Sequence, residues 1–163
     1  MPRTATDAET RIVSDDHAAI RLWLRMLATN RLIETRMRRL LHERFAITLP
    51  RFDLMAQLER VPGGLKMGEL SKRMMVTGGN VTGITDMLEQ EGLVERVDDP
   101  DDRRAWRVKL TPAGRRAFVT MAREHERWIV EAFDALGARE MSAMVGFLGR
   151  LKTHVRSLEG RDA

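Results

Sequence analysis

The sequence predicts a mainly helical fold with one small β-hairpin, on three observations. Apolar residues recur at three- and four-residue steps over most of the 163-residue chain, the period of amphipathic helices. Strict alternation is confined to one short stretch, where Trp106, Val108 and Leu110 interleave with Arg107 and Lys109. Glycine and proline then cut the helical pattern into segments, at Val61-Pro62-Gly63-Gly64, Gly92, Pro112 and Gly137.

Residues 1–15 are polar and read as a loose arm. A long helix is expected from about Asp16 to Arg44, with Ile20, Trp23, Leu24, Leu27, Met37, Leu41 and Phe45 on one apolar stripe. Asn30 and Glu34 fall on that stripe and, if buried, require partners. Arg51–Leu58 reads as a short helix with Pro50 in its first turn. Lys66–Met74 is a second short helix, with Met67, Leu70 and Met74 on one face. Thr77 is a reasonable N-cap for the next helix, whose inner face is Val81, Ile84 and Leu88 and whose end is marked by Gly92. Strands at Leu93–Val97 and Trp106–Leu110 flank an acidic loop, Asp98–Asp102. Thr111-Pro112 opens a helix to about Leu136, burying Phe118, Met121, His125, Trp128, Ile129 and Phe133. A last helix, Ala138–Leu158, is expected to bury Met141, Met144, Val145, Leu148, Leu151 and Val155.

Composition sets the bounds. The length implies one domain, 1–163, with a substantial core. The chain is 43% hydrophobic and 32% charged, without a long apolar run or an N-terminal signal core, which predicts a cytoplasmic protein with no membrane partner. There is no cysteine, so disulfides and thiolate chemistry are excluded. The four histidines are scattered, no metal or cofactor site is expected, and "HERFA" at His42 lacks the second histidine of a zinc motif. No nucleophile elbow or phosphate loop is found, so an enzyme is not expected.

Two short helices and a β-hairpin in succession, at about 50–110, make a winged helix-turn-helix. The second helix of such a unit enters the major groove, which is wide enough for a helix and displays a distinct pattern at each base pair. The face opposite Val81, Ile84 and Leu88 carries Gly79, Thr82, Gly83, Asp86 and Gln90, with Asn80 at the border. Three glycines at 78, 79 and 83 are unfavourable in a helix, and close approach of the backbone to DNA is one reason for them. The other is that they mark a loop, with the helix starting near Val81. Candidate DNA contacts are therefore Thr77, Gly79, Asn80, Thr82 and Gly83 on the helix, and Asp102, Arg103, Arg104 and Arg107 on the wing. A net charge of +4 does not by itself demand nucleic acid, and a winged-helix interaction module without sequence-specific DNA binding is the alternative.

Several runs resemble the MarR family of bacterial regulators. They are "MGELSKR" from Met67, "NVTGITDMLEQEGLVER" from Asn80, "DPDDRR" from Asp99 and "VKLTPAG" from Val108, at the family's spacing. The resemblance implies an obligate homodimer on double-stranded DNA with a pseudo-palindromic operator, with helices at about 16–48 and 112–158 as the dimerisation region. It further implies that Asp102 orients Arg104, and that Arg104 is the minor-groove residue. The stretches Thr48–Leu58 and Met75–Gly83 look similar to a narrower group that represses aromatic-acid breakdown and responds to the coenzyme A thioester. The implied function is a ligand-responsive repressor released by a small anionic aromatic effector, an acid or an acyl-coenzyme A. Nine arginines against four acids over Arg11–Arg51 suit an anion, although a solvated helix face is the more common explanation of such a run. Trp23, Leu27, Asn30, Arg31, Phe52 and Met55 are the candidate effector contacts.

Overall fold

The computed structural model describes residues 17–74, 78–102 and 104–160. Six helices and three strands follow in the order α1 (Ala18–Phe45), α2 (Leu49–Glu59), β1 (Leu65–Lys66), α3 (Met67–Met74), α4 (Gly78–Gln90), β2 (Val94–Asp98), β3 (Trp106–Leu110), α5 (Pro112–Ala132) and α6 (Ala138–Glu159). This is the mainly helical fold with a hairpin wing that the sequence predicts. The chain divides into two compact units, one extending to His125 and the other starting at Glu126, so the division falls within α5. No helix among the described residues is long and apolar enough to cross a membrane.

The core of the first unit follows from the apolar periodicities. Met37 and Leu41 of α1, Phe52, Leu54, Met55 and Leu58 of α2, Leu70 of α3, and Val81, Ile84 and Leu88 of α4 are all buried. Val94, Val108 and Leu110 close it from the sheet, and Phe118 and Met121 from α5. The Phe52 ring stacks on Phe118 at 5.5 Å and lies 4.7 Å from the ring of His125. Burial pushes the His125 imidazole below its usual value. Thr85 is fully buried inside α4 and satisfies its hydroxyl by donating to the Val81 carbonyl at 2.8 Å.

Element boundaries shift by a residue or a few. α2 starts two residues before Arg51, with Pro50 in its first turn and Thr48 as N-cap. α5 stops at Ala132 rather than near Leu136, because residues 133–136 turn on short-range backbone hydrogen bonds. β1 was not expected. Leu65 and Lys66 pair antiparallel with Val108 and Arg107, so β3 is the central strand of a β1-β3-β2 sheet. Gly64, at φ +83, delivers the chain to this strand, and a Cβ there would lie 2.7 Å from the Val108 carbonyl oxygen.

The largest departure concerns apolar stripes. None of α6 is buried: Met144, Val145, Phe147, Leu148, Leu151, Val155 and Leu158 are 41–66% exposed. The first half of α1 behaves likewise, with Trp23 59% exposed and Ile20, Leu22 and Leu32 also outward. Periodicity identifies an apolar face but not the surface that covers it. Asn30 is correspondingly exposed, and Glu34 accepts from Arg38 one turn on at 2.5 Å, so neither is a buried polar group.

Candidate nucleic-acid interface

α4 is packed by Val81, Ile84, Thr85 and Leu88, which leaves Gly79, Asn80, Thr82 and Gly83 exposed on its opposite face. The glycines lie within the helix, so the loop alternative does not hold for Gly78, Gly79 and Gly83. A Cβ at Gly79 or Gly83 would meet nothing within 4 Å, so no packing inside the protein requires glycine there. The Thr82 hydroxyl donates to the Gly78 carbonyl at 3.0 Å, which leaves its methyl and an acceptor lone pair facing outward. Thr77 and Arg103, two predicted contacts, lie outside the described residues.

Asp86, on the same outer face, is half-exposed but engaged by another element. Arg96 of β2 donates to both Asp86 and Glu89, which fastens the outer side of α4 to the first strand of the wing. The hydrogen bond to Asp86 also holds the Arg96 guanidinium above its usual value. Neither pair was apparent from sequence, since the partners are seven and ten residues apart and belong to different elements.

The wing is organised by Asp99, a residue the sequence shows only as one member of the acidic loop Asp98–Asp102. Its side chain is 0% exposed. One carboxylate oxygen accepts the backbone N–H groups of Asp101 at 2.9 Å and Asp102 at 3.0 Å, which folds the loop around it. The other accepts from Arg107 Nε at 2.6 Å and lies 3.4 Å from Lys66 Nζ on β1. These bonds, that from Arg107 foremost, pull the Asp99 carboxyl down to about 2. Asp99 and Ala105 close the loop base by a backbone hydrogen bond of 3.0 Å.

At the tip, Asp102 does meet Arg104, through the main chain: its carboxylate accepts the Arg104 backbone N–H at 3.0 Å. Asp102 therefore fixes where Arg104 emerges rather than how its guanidinium is turned. Both side chains are exposed. Arg107 has a different place from the one the sequence suggested, because its guanidinium is engaged with Asp99 and lies 3.8 Å from Asp101. Of the candidate contacts, Gly79, Asn80, Thr82, Gly83, Asp102 and Arg104 are exposed, and Arg107 is part of the scaffold beneath the wing tip.

The candidate effector contacts are not alike. Trp23, Asn30 and Arg31 are exposed on the first half of α1, and Leu27 is half-buried. Phe52 and Met55 are core residues at 5% and 0% exposure, so neither offers a surface to a ligand.

Known proteins share this arrangement. Residues 47–106 match the MarR family model, a span that holds α2 to the first residue of β3. The HTH-type transcriptional regulator YsmB of Bacillus subtilis (strain 168) is 30% identical over 112 residues, covering 69% of this chain and 76% of that protein. The crystal structure of a MarR family transcriptional regulator from Silicibacter pomeroyi superposes with a TM-score of 0.72 at 34% identity, over 86% of this chain and 99% of that one. Sco3205, a MarR family transcriptional regulator from Streptomyces coelicolor crystallised in complex with DNA, shares the fold with a TM-score of 0.74 at 22% identity, over 90% of this chain and 91% of that one. By these likenesses, and by the exposed helix and wing that carry them, the chain belongs to the MarR family of DNA-binding transcriptional regulators.

Proposed function

We propose that this regulator acts as a homodimer on a pseudo-palindromic operator, with α4 in the major groove and the wing tip in the adjacent minor groove. The observation that carries the reading is the built wing: a loop folded around the buried Asp99 presents an exposed Arg104 beyond the exposed face of α4. Gly79 and Gly83 let the α4 backbone approach the duplex closely, Asn80 and Thr82 meet base edges, and Arg104 enters the narrow groove where negative potential concentrates. Thr77 and Arg103 belong to the same proposed surface. Arg104→Ala is expected to weaken operator binding by about ten-fold or more, measured by gel shift at fixed salt. Binding by the wild type is expected to fall steeply as salt rises, because phosphate contacts release counterions. An Arg104→Ala protein that binds like wild type, with a flat salt dependence, would favour an interaction module without sequence-specific DNA binding.

The dimer reading is supported by the exposed apolar residues of α6. Seven large apolar side chains on this helix are each at least 41% exposed, and a monomer rarely leaves a large contiguous apolar patch in water. The dimerisation region is assigned to the helices at about 16–48 and 112–158. Sedimentation of the wild type is expected to give a dimer at micromolar concentration. Leu148→Glu combined with Val145→Glu is expected to give monomers, because each buried charge opposes association. Wild-type monomers would exclude the reading.

The effector is proposed to be a small anionic aromatic compound, an acid or its coenzyme A thioester, that releases a repressor from an operon for aromatic-compound breakdown. The arginines of α1 support an anion, and the likeness of Thr48–Leu58 to aromatic-acid regulators supports the class. An effector shifts DNA binding only by its differential affinity for the free and bound conformations. Aromatic acids and their thioesters are titrated into the protein–operator complex, and release by one of them is expected. Release by none of them would remove this part of the proposal.

A further inference from the structure

Four large apolar side chains belong to α4, and three of them, Val81, Ile84 and Leu88, are buried. The fourth, Met87, is 50% exposed. At the helical repeat it lies on the flank that carries Asn80, whereas Thr82, Asp86 and Glu89 lie on the other. Arg96 ties Asp86 and Glu89 to the wing, so the second flank is occupied by paired charges. Met87 stands on the flank turned away from them.

Helical side chains lean toward the N-terminus, over the residue one turn earlier. For Met87 that residue is Gly83, and a Cβ added at Gly83 would meet nothing within 4 Å. The thioether can therefore lie along bare backbone, on the part of α4 where a duplex approaches with least obstruction. Its unbranched chain has three rotatable bonds and adapts to the surface it meets.

Chemistry narrows the partner. Methionine has no hydrogen-bond donor and only a weak acceptor, so it cannot read the polar pattern of the base edges. The major groove displays one apolar group, the 5-methyl of thymine. We propose that Met87 packs on a thymine methyl and thereby selects thymine at one position of each operator half-site. That position lies within about three base-pair steps of the base met by Asn80, because seven residues of helix span about 10.5 Å. The inference rests on the docking of α4 in the major groove proposed above.

Duplexes are selected from a random-sequence pool by the full-length protein, and each thymine of the selected operator is replaced in turn by uracil, which lacks only the 5-methyl. Binding is measured by fluorescence anisotropy. The wild type is expected to lose roughly three- to five-fold in affinity at one thymine per half-site, the worth of about one buried methyl. Met87→Gln, similar in length but polar, is expected to bind the thymine and uracil operators alike. Met87→Leu is expected to keep the preference. Thr82→Ser removes the other outward methyl of α4 and is expected to keep it too. Thermal unfolding of the Met87 variants should match wild type, since the residue is outside the core. A wild type that is selective in sequence yet indifferent to uracil at every thymine overturns the Met87 contact and leaves α4 in the groove. A loss with uracil that persists in Met87→Gln, or that vanishes in Thr82→Ser, assigns the methyl to another side chain and also overturns it. A pool that yields no preferred sequence overturns the docking of α4 and the contact together.

Discussion

Gly114→Ala is expected to lose about 3 kcal/mol or more of folding stability, beyond the usual cost of overpacking a core. The reason is local. Gly114 is buried in the first turn of α5, and a Cβ there would lie 1.8 Å from the Leu93 carbonyl oxygen and 2.7 Å from its carbon. Both are backbone atoms, so no rotamer change relieves the overlap. The same carbonyl accepts from the Thr111 N–H at 3.1 Å, and the Thr111 hydroxyl donates to the Gly92 carbonyl at 2.7 Å while accepting from the Gly114 N–H at 2.9 Å. The alanine must therefore open the junction at which the start of α5 is fastened to the chain leaving α4. Thermal unfolding is the measurement, and a fall in Tm of roughly 6–12 °C is expected for a chain of this size. A variant with wild-type Tm would show that the junction yields freely.

Asp99→Ala is expected to unfold the wing without unfolding the protein. The substitution removes the acceptor for the Asp101 and Asp102 amides and the counterion of Arg107 and Lys66 together. Operator affinity is expected to drop by about ten-fold or more, because a disordered tip must be re-ordered on binding. Amide exchange should accelerate over residues 99–105 and change little in α2 and α4. The pH dependence follows from the carboxyl being held at about 2 against an ordinary 3.8. A depressed carboxylate stabilises the fold fully above its unfolded value and loses that contribution as pH falls through the folded one. Wing order is then insensitive to pH in the physiological range and fails between about pH 4 and 2, a loss that Asp99→Asn should not show. Protection of residues 99–105 that is unchanged in Asp99→Ala would mean that the loop does not depend on the carboxylate.

These two residues illustrate what the sequence makes legible. Helices, hairpin and fold class follow from periodicity and punctuation, because each depends on neighbours within a few positions. Val81, Ile84 and Leu88 are identified as the inside of α4 by spacing alone, and they are buried. Asp99 is not identifiable that way. In the run Asp98–Asp102 it is one carboxylate among four, and only the folded hairpin brings Arg107 and Lys66 to it. The ion pair between Arg51 and Glu91 joins residues 40 positions apart that share no local pattern. β1 has two residues, too few to show a period. The apolar face of α6 is legible as a face, and it stands exposed on the single chain, because hydrophobicity states that a surface needs cover without naming the cover.

Arg96 has a consequence for the DNA rather than for the protein. By gripping Asp86 and Glu89 it ties α4, the helix proposed for the major groove, to the first strand of the hairpin, so the distance between their two outward surfaces is constrained before any duplex arrives. Such a piece works as a caliper of fixed opening. On the docking proposed above, it favours a duplex whose major groove and following minor groove stand at the matching offset along the helical repeat, and other duplexes must bend or twist to fit. Base pairs lying between the two contact points, touched by no side chain, then count in selection through their stiffness.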